Sequence, residues 1–468
     1  MTVSAVARLG MVMPSRGRAV LVLVLLTLSY TCSFADRTML GVLQEPIRKE
    51  LLLSDFQLGL LGGPTFALFY AVFALPLSRL AERYHRAVVL GLCLVAWSGM
   101  TMLCGVAQSY PQLLACRMGV GIGEAGGNPT SHSIITDYFA PAKRAIALAV
   151  YSVGAPAGAF LGAFGAGTIA GLWGWRVSFF LLGVPGINLA AVIMLTVREM
   201  PRGGRDDHGD ETGPLVPFVA VIRALLGRPD FRHLAIGASY IVIGGFAVNL
   251  FLGSFLIRCF GLPLGKVGAV MGLVTGAAAG IGTLLGGVLI DRFARDDARF
   301  YVWIPAGFAA LAAPLHAMAF MSESVNSVVA FLGPGTIAVY IYFAPAFALT
   351  HNMVQPRMRA TAAAFLFFII NLVGLGLGPP LVGYVSDILA HQTFFAATGS
   401  SFAACAASAG DPVLKSNCDT AIANGLRWTL AASSVTFLLA GIHFWFAGRR
   451  MGRHAPSQLH KTTVIRTA

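Results

Sequence analysis

Four ionisable residues stand inside stretches of this sequence that are otherwise apolar. Asp36 and Arg37 interrupt the apolar run that begins near residue 19, and Arg117 and Glu124 lie in the stretch "CRMGVGIGEAGGNP". A charge at the centre of a bilayer costs roughly 2.5–3.5 kcal/mol on an insertion scale, so such residues are kept for a function or for pairing. Carboxylates beside guanidinium groups can exchange protons and bind anions, and this is the chemistry that we expect here.

The spacing of these charges sets how they can meet. Arg117 and Glu124 are seven residues apart, or two helical turns, and therefore lie close to one face of a helix. The adjacent Asp36 and Arg37 point about 100° apart and cannot both pair across the same gap. We hypothesise that Asp36 and Glu124 exchange protons with a cavity. Arg37 and Arg117 would compete for these acids and bind the anionic group of a substrate; the alternative is that the buried pairs only fix helix packing.

Three further polar residues are weaker candidates for substrate contacts. Asn128 and Pro129 are expected to interrupt their helix, with His132 one to two turns further inward. His132 is a candidate ligand for a substrate or, alternatively, a structural histidine. Asn249 lies in an apolar stretch of the second half of the chain and is a candidate for the same cavity.

The composition identifies the elements that must position these residues. Hydrophobic residues make up 56% of the 468 positions and charged residues only 11%, whereas a soluble domain carries about 25% charged residues. The chain is therefore a polytopic membrane protein. Its net charge of +13 does not indicate nucleic-acid binding, because the basic residues fall in short loops. No nucleotide-binding motif or metal-ligand cluster occurs in the sequence, so we expect no enzyme, no metal and no cofactor.

Twelve apolar stretches are long enough for a crossing of about 20 residues. They are expected at 19–41, 56–78, 87–107, 111–136, 145–169, 175–197, 233–257, 266–290, 301–321, 326–350, 359–389 and 425–447. This predicts an all-α fold with a six-helix bundle at 1–197, a linker at 198–232, and a second six-helix bundle at 233–468. Most Lys and Arg residues fall on the side of the two termini, which places both termini, the linker and the C-terminal tail in the cytoplasm.

The longest external segment, 390–424, contains Cys405 and Cys418. They are the only two of the seven cysteines that this topology places outside the membrane. A disulfide between them is expected in an oxidising compartment. Two free thiols in a loop are the alternative.

A short motif occurs once in each half. "SRLAERYHR" (78–86) and "GVLIDRFAR" (287–295) share the pattern small-x-L-x-acid-Arg-x-x-Arg at the end of the second crossing of each bundle. The pattern resembles the loop signature of the major facilitator superfamily, although Ser78, Glu82 and His85 depart from it. The resemblance implies two bundles about a central pathway and a cytoplasmic gate, while simple topological anchoring by positive charge is the alternative. The gate residues that it implies are Glu82, Arg83, Arg86, Asp291, Arg292 and Arg295.

Several stretches of the first half also resemble the Spinster branch of lysolipid and sphingolipid transporters. They are "DR" at 36–37, "SDFQLGLL" at 54–61, "GVGIGEA" at 119–125 and "GWRVSFF" at 174–180. The resemblance implies a monomeric, proton-coupled transporter in the cell membrane, expected to be a bacterial inner membrane, whose substrate is an amphiphilic anion or zwitterion. A transporter of the same fold for a small organic anion or drug is the alternative, and a binding or scaffold protein without transport is a third reading.

Overall fold

The structure is a computed structural model that describes residues 15–200, 217–355, 358–405 and 411–451. Within these ranges the regular secondary structure is helical, which confirms the all-α prediction. Eleven helices of the described residues are long and apolar enough to cross a membrane. Residues 201–216 of the predicted linker and the C-terminal tail from residue 452 lie outside the described residues.

Helices of both halves follow the predicted order. The first half comprises α1 Arg16–Leu51, α2 Asp55–Arg83, α3 Arg86–Cys104, α4 Tyr110–Glu124 with Gly127–Tyr138, α5 Pro141–Ser152 with Gly154–Trp173, and α6 Trp175–Thr196. A linker helix, Phe218–Leu226, precedes the second half. The second half comprises α7 Pro229–Phe260, α8 Leu264–Phe293, α9 Phe300–Met321, α10 Val325–Asn352, α11 Thr361–Thr398 and α12 Pro412–Arg450.

The fourth predicted crossing, α4, is not among the eleven long apolar helices, because it is divided into two helices of 15 and 12 residues. Its helix stops at Glu124 and resumes at Gly127, so the break lies before Asn128 and Pro129 and not at them. The reason is that a proline has no N–H group to donate to the carbonyl four residues earlier, here that of Ala125. The interruption therefore comes one turn ahead of the proline.

Two predicted boundaries are wrong at the end far from the termini. Helix α1 runs ten residues past the predicted end at 41, and the predicted loop 390–424 is largely helical, since α11 continues to Thr398 and α12 begins at Pro412. The Asp411 side chain accepts hydrogen bonds from two backbone N–H groups of the first turn of α12, which explains its early start. Cys405 and Cys418 form a disulfide with a Cα–Cα distance of 5.8 Å.

The two halves touch each other at the end far from the termini. Helix α1 packs on α7, α2 on α11, and α5 on α8, and one apolar core there includes residues of both halves. Glycines allow the backbones to approach closely: a Cβ at Gly41 would lie 2.8 Å from the Asn249 carbonyl oxygen, and one at Gly167 would lie 2.5 Å from that of Leu264. Small residues favour such packing in lipid, where close van der Waals contact drives helix association.

Gly59→Ala is expected to separate the halves at this end. A Cβ at Gly59 in α2 would lie 2.7 Å from the Pro379 carbonyl carbon and from the Pro380 Cα of α11, so backbone must move. Overpacking of this kind costs about 1–3 kcal/mol, which we expect as a lower free energy of unfolding of the purified protein. Gly265→Ala is the control because a Cβ there meets nothing within 4 Å; equal stability of the two variants would contradict the prediction.

Candidate functional site

The central feature of the first half is an ion pair between α1 and α4. Arg37 donates from Nε and Nη2 to one carboxylate oxygen of Glu124, at 2.9 and 2.7 Å. The Glu124 side chain is 1% exposed and that of Arg37 is 14% exposed. The pair is therefore sealed on the side of the acid and partly open on the side of the guanidinium group.

Aromatic rings surround the Arg37 guanidinium group. Its Cζ atom lies 4.6 Å from the ring centroid of Phe66, 5.1 Å from that of Phe34 and 5.2 Å from that of Tyr70. Stacking on aromatic faces stabilises a cation that has lost water. Phe34, Phe66 and Tyr70 were not among the candidate site residues.

Arg117 is a buried cation with unused hydrogen-bond donors. It is 2% exposed, and its Nε and Nη1 atoms have no hydrogen-bond partner among the described residues. Its Cζ atom lies 6.0 Å from the Phe66 ring centroid, so the same ring flanks both arginines. Burying a guanidinium group without partners is costly, and an anion beside it would remove this cost.

Asp36 points away from the pair formed by its neighbour. Its carboxylate accepts a hydrogen bond from the Thr101 hydroxyl of α3 at 3.1 Å, and both side chains are buried. The expected divergence of Asp36 and Arg37 around α1 is thus present in the structure. Asp36 remains within electrostatic range of Glu124 and Arg117, so the four charges form one cluster in which only one ion pair is made.

Next to the ion pair lies a group of tyrosines that sequence reasoning missed. The Tyr151 hydroxyl donates to the Asn128 side-chain oxygen at 2.6 Å, and the Tyr151 ring stacks on Tyr30 with centroids 4.7 Å apart. His132 is exposed and meets the Tyr151 ring edge-on at 5.3 Å. Asn128 and His132 therefore share one wall of α4 and α5, as candidates for the same cavity should.

Asn249 lies where α7 packs on α1, since its backbone carbonyl faces Gly41. It is half-buried. Its place is at the contact between the halves, about one turn of α1 beyond the Arg37 level. The structure does not bring it into contact with Arg37 or Glu124.

A second charged network, also missed, joins the halves at the end far from the termini. Arg258 of α7 is bonded to Glu45 of α1 at 2.8 Å and by both terminal nitrogens to Asp55 of α2, at 2.7 and 2.6 Å. The Asp387 carboxylate of α11 accepts hydrogen bonds from the backbone N–H groups of Asp55 and Phe56. Every one of these bonds crosses from one half of the chain to the other.

The comparisons with known proteins agree with this arrangement. A sequence model of the Major Facilitator Superfamily matches residues 26–379. The chain belongs to this superfamily. An MFS-type efflux pump of Mycolicibacterium smegmatis is 36% identical, over 78% of this chain and 83% of that protein, and the superfamily's members are transporters.

Relatives of the Spinster group are similar to nearly the whole chain. A crystal structure of a bacterial homologue of the human lysosomal transporter Spinster, in an inward-facing and unoccupied conformation, superposes with a TM-score of 0.87, 32% identity, and coverage of 93% of this chain and 98% of that one. The sphingosine-1-phosphate transporter SPNS2 of Danio rerio is 26% identical over 78% of this chain and 75% of its own length. The resemblance seen in the sequence is confirmed.

The gate residues that the superfamily resemblance implied are not joined across the halves. Glu82, Arg83, Asp291 and Arg292 are exposed, and none of them has an ion-pair partner among the described residues. Arg295 donates to the Asp291 backbone oxygen of its own motif at 2.8 Å. The halves meet at the far end, as described above, and a gate at the end of the termini stays a prediction.

Arg86 behaves differently from the other gate residues. It is buried and bonded within the first half to Asp137 of α4, to Glu199 after α6, and to Ser133. Its Nε–Glu199 distance is 2.6 Å. Arg86 therefore ties the ends of α3, α4 and α6 together, which keeps the first half rigid as a unit.

Proposed function

We propose that this chain is a proton-coupled secondary transporter of an amphiphilic anion or zwitterion of the lysophospholipid or sphingosine-phosphate type, and that it works by alternating access. The observation that carries the proposal is the Arg37–Glu124 pair beside the unpaired Arg117. While Glu124 carries no proton, it forms an ion pair with Arg37. When Glu124 is protonated, Arg37 and Arg117 are left to bind a substrate anion. Such a site links substrate binding to protonation.

The linkage works through competition for Arg37. While Glu124 is ionised, its carboxylate occupies the Arg37 Nε and Nη2 donors. A proton on Glu124 removes the negative charge, and Arg37 is then free to bind two oxygens of a phosphate or carboxylate in its planar fork. Protonated Glu124 and bound anion therefore favour each other, and release of one favours release of the other.

Asp36 is the second proton site in this proposal. It lies one residue from Arg37 and within electrostatic range of Glu124 and Arg117, while its hydrogen bond from Thr101 holds it on the α3 side. A proton that leaves Glu124 has an acceptor in the same cluster. We place the rest of an amphiphilic substrate along the aromatic wall of Tyr30, Phe34, Phe66 and Tyr70, which supplies a broad apolar surface.

The proposed membrane placement follows from the contacts between the halves. They touch at the end far from the termini, and the expected topology puts the termini in the cytoplasm. We infer that this structure is an inward-facing state, in which the cavity opens to the cytoplasm of a bacterial cell whose inner membrane holds the protein as a monomer. The name of the SPNS2 relative supports a lipid-like substrate.

A second candidate is a transporter of a small organic anion or drug. It is favoured by the name of the Mycolicibacterium relative, an efflux pump. Thermal unfolding of the detergent-purified chain separates the two candidates. We expect stabilisation by lysophosphatidylglycerol and by sphingosine phosphate and none by succinate at equal concentration; stabilisation by succinate alone would favour the second candidate.

Asp36→Asn is expected to uncouple transport from the pH gradient. Asparagine keeps the size of the side chain and can still accept the Thr101 hydrogen bond, but it cannot carry a proton. One proton per substrate gives about tenfold accumulation per pH unit, and this accumulation is expected to vanish when proteoliposomes of the variant take up fluorescent lysophospholipid under a pH gradient. Glu323→Gln, an exposed acid at the far end, is the control. Full pH-driven accumulation by Asp36→Asn would refute its role.

A further inference from the structure

Two histidines meet in the second half, away from the site described above. His233 lies in the second turn of α7 and His443 lies two turns before the end of α12, both at the end of the termini. Their Nδ1 atoms are 3.1 Å apart, and their ring centroids are 5.2 Å apart. Both rings are half-buried, and neither has a part in the proposed transport cycle.

The contact limits how many protons the two rings can carry. An imidazole nitrogen is either a donor or an acceptor, so an Nδ1–Nδ1 hydrogen bond needs one N–H group and one bare nitrogen. One added proton gives a single imidazolium, which donates to the bare Nδ1 atom of its neutral neighbour; a second added proton places two N–H donors and two like charges face to face. Such a doubly protonated pair is stable only if an anion accepts from both donors.

The charges around the pair are positive. Arg232 and Arg450 act electrostatically on His233, and Arg449 stacks over the Trp445 ring at 4.5 Å. Asp230, three residues before His233 in α7, is bonded to Arg228, and Asp297, before α9, is bonded to Arg299. Arg223 of the linker helix is exposed, and the Tyr240 ring packs on His443. These surroundings favour an anion over a metal cation.

Exposed apolar side chains flank these groups. Ile236, Ile442, Trp445 and Phe446 are each between 40% and 49% exposed. Tryptophan beside arginine at the end of a membrane helix is typical of the boundary between acyl chains and head groups. We call Arg232, His233, His443 and Arg450 the His–Arg patch; it lies near the ends of α7 and α12 on the side of the termini.

We propose that the His–Arg patch binds the phosphate of an anionic phospholipid and that this binding is coupled to proton uptake by the histidine pair. A phosphodiester oxygen accepts from both imidazolium groups and relieves their repulsion. By linkage, anionic lipid favours the second proton, and acid favours anionic lipid. The proposal does not depend on the transport mechanism, because neither histidine contacts the Arg37–Glu124 site.

The test uses the full chain in nanodiscs of phosphatidylcholine with increasing phosphatidylglycerol. Thermal unfolding is followed at about pH 5.5 and about pH 7.5, which bracket ordinary histidine titration. At the lower pH we expect half of the maximal rise in unfolding temperature at a several-fold lower phosphatidylglycerol fraction. The reason is that one basic charge changes the strength of such binding about fivefold. The same stabilisation at both pH values would overturn the proposal.

Matched variants separate the patch from general membrane electrostatics. His233→Gln/His443→Gln keeps hydrogen-bonding groups but no titratable pair, and we expect it to lose the pH dependence. Arg79→Gln, an exposed basic residue of α2 in the other half, should keep it. Free inorganic phosphate should not reproduce the effect. A pH dependence that survives in the double histidine variant, or full stabilisation by inorganic phosphate, would contradict a lipid site at this patch.

Discussion

Glu124→Gln is expected to abolish pH-driven transport and to lower the free energy of unfolding by about 3–5 kcal/mol. The substitution leaves Arg37, whose side chain is 14% exposed, without its counter-ion. Arg117 is already a buried cation with unused donors, so two unpaired guanidinium groups would then flank the Phe66 ring. Uptake into proteoliposomes under a pH gradient measures the loss of transport, and chemical unfolding of the purified protein measures the loss of stability.

The double variant Arg37→Gln/Glu124→Gln distinguishes a transport role from a packing role. Replacing a buried ion pair by neutral groups of similar size is often close to neutral for stability. We therefore expect the double variant to regain most of the lost stability and none of the transport. If it instead regained pH-driven transport together with stability, the pair would serve only to hold α1 against α4.

The main parts of this site were predictable from charge placement alone. A carboxylate or a guanidinium group in an apolar helix needs a partner, so the sequence alone identified Arg37 and Glu124 as candidate site residues. The separation of Asp36 from Arg37 also followed from helix geometry. The pairing partners did not follow from the sequence. The spacing left open which acid Arg37 would bind, and nothing in the sequence distinguished Thr101 from the other threonines.

The aromatic wall and the second network show where sequence reasoning stopped. Tyr30 and Tyr151 are 121 positions apart and look like any tyrosine in a membrane helix, and only packing makes them stack. In the sequence Arg258 is a single basic residue at the end of an apolar stretch. Its partners Glu45 and Asp55 lie more than 200 positions away, and no local sequence pattern predicts a contact between the two halves.

For the predicted gate, the sequence could not tell whether its residues are in contact in this structure. The paired motifs indicated residues that act at the end of the termini, and Glu82 and Asp291 do lie at that end, exposed. A gate closes in only one state of an alternating cycle, so a single sequence cannot tell which end is joined in a given structure. In this structure the halves are joined at the far end, through Arg258, and not through the predicted gate residues.

Arg258→Gln is expected to open the far end. Arg258 is 4% exposed at its side chain, and it neutralises both Glu45 and Asp55, which are equally buried. Without it, two carboxylates from the first half face the second half, and Arg48, at 2.9 Å from Glu45, is the remaining ion-pair partner among the described residues. Removing one partner of a buried charge network costs about 3–5 kcal/mol, and that cost falls on the state closed at this end.

Distances between the halves measure the effect. Spin labels at Leu52, which is 89% exposed, and at Glu323 report the separation of the two halves at the far end, in a background where the free cysteines are replaced by serine. We expect a single short distance in the parent protein and a longer one in Arg258→Gln. Arg176→Gln is the matched control: Arg176 pairs with Glu50 at the same end, but within one half and partly exposed.

The size of the shift follows from the energies. Moving a two-state equilibrium from 1:99 to 99:1 takes about 5.5 kcal/mol, so a loss of about 3–5 kcal/mol carries most of the population across if the parent prefers the closed end by only a few kcal/mol. The exposed pair of Arg176 contributes about 0–1 kcal/mol and no contact between the halves. Equal distance distributions for Arg258→Gln and Arg176→Gln would mean that apolar packing through Gly59, Gly167 and their neighbours, and not charge, holds this end together.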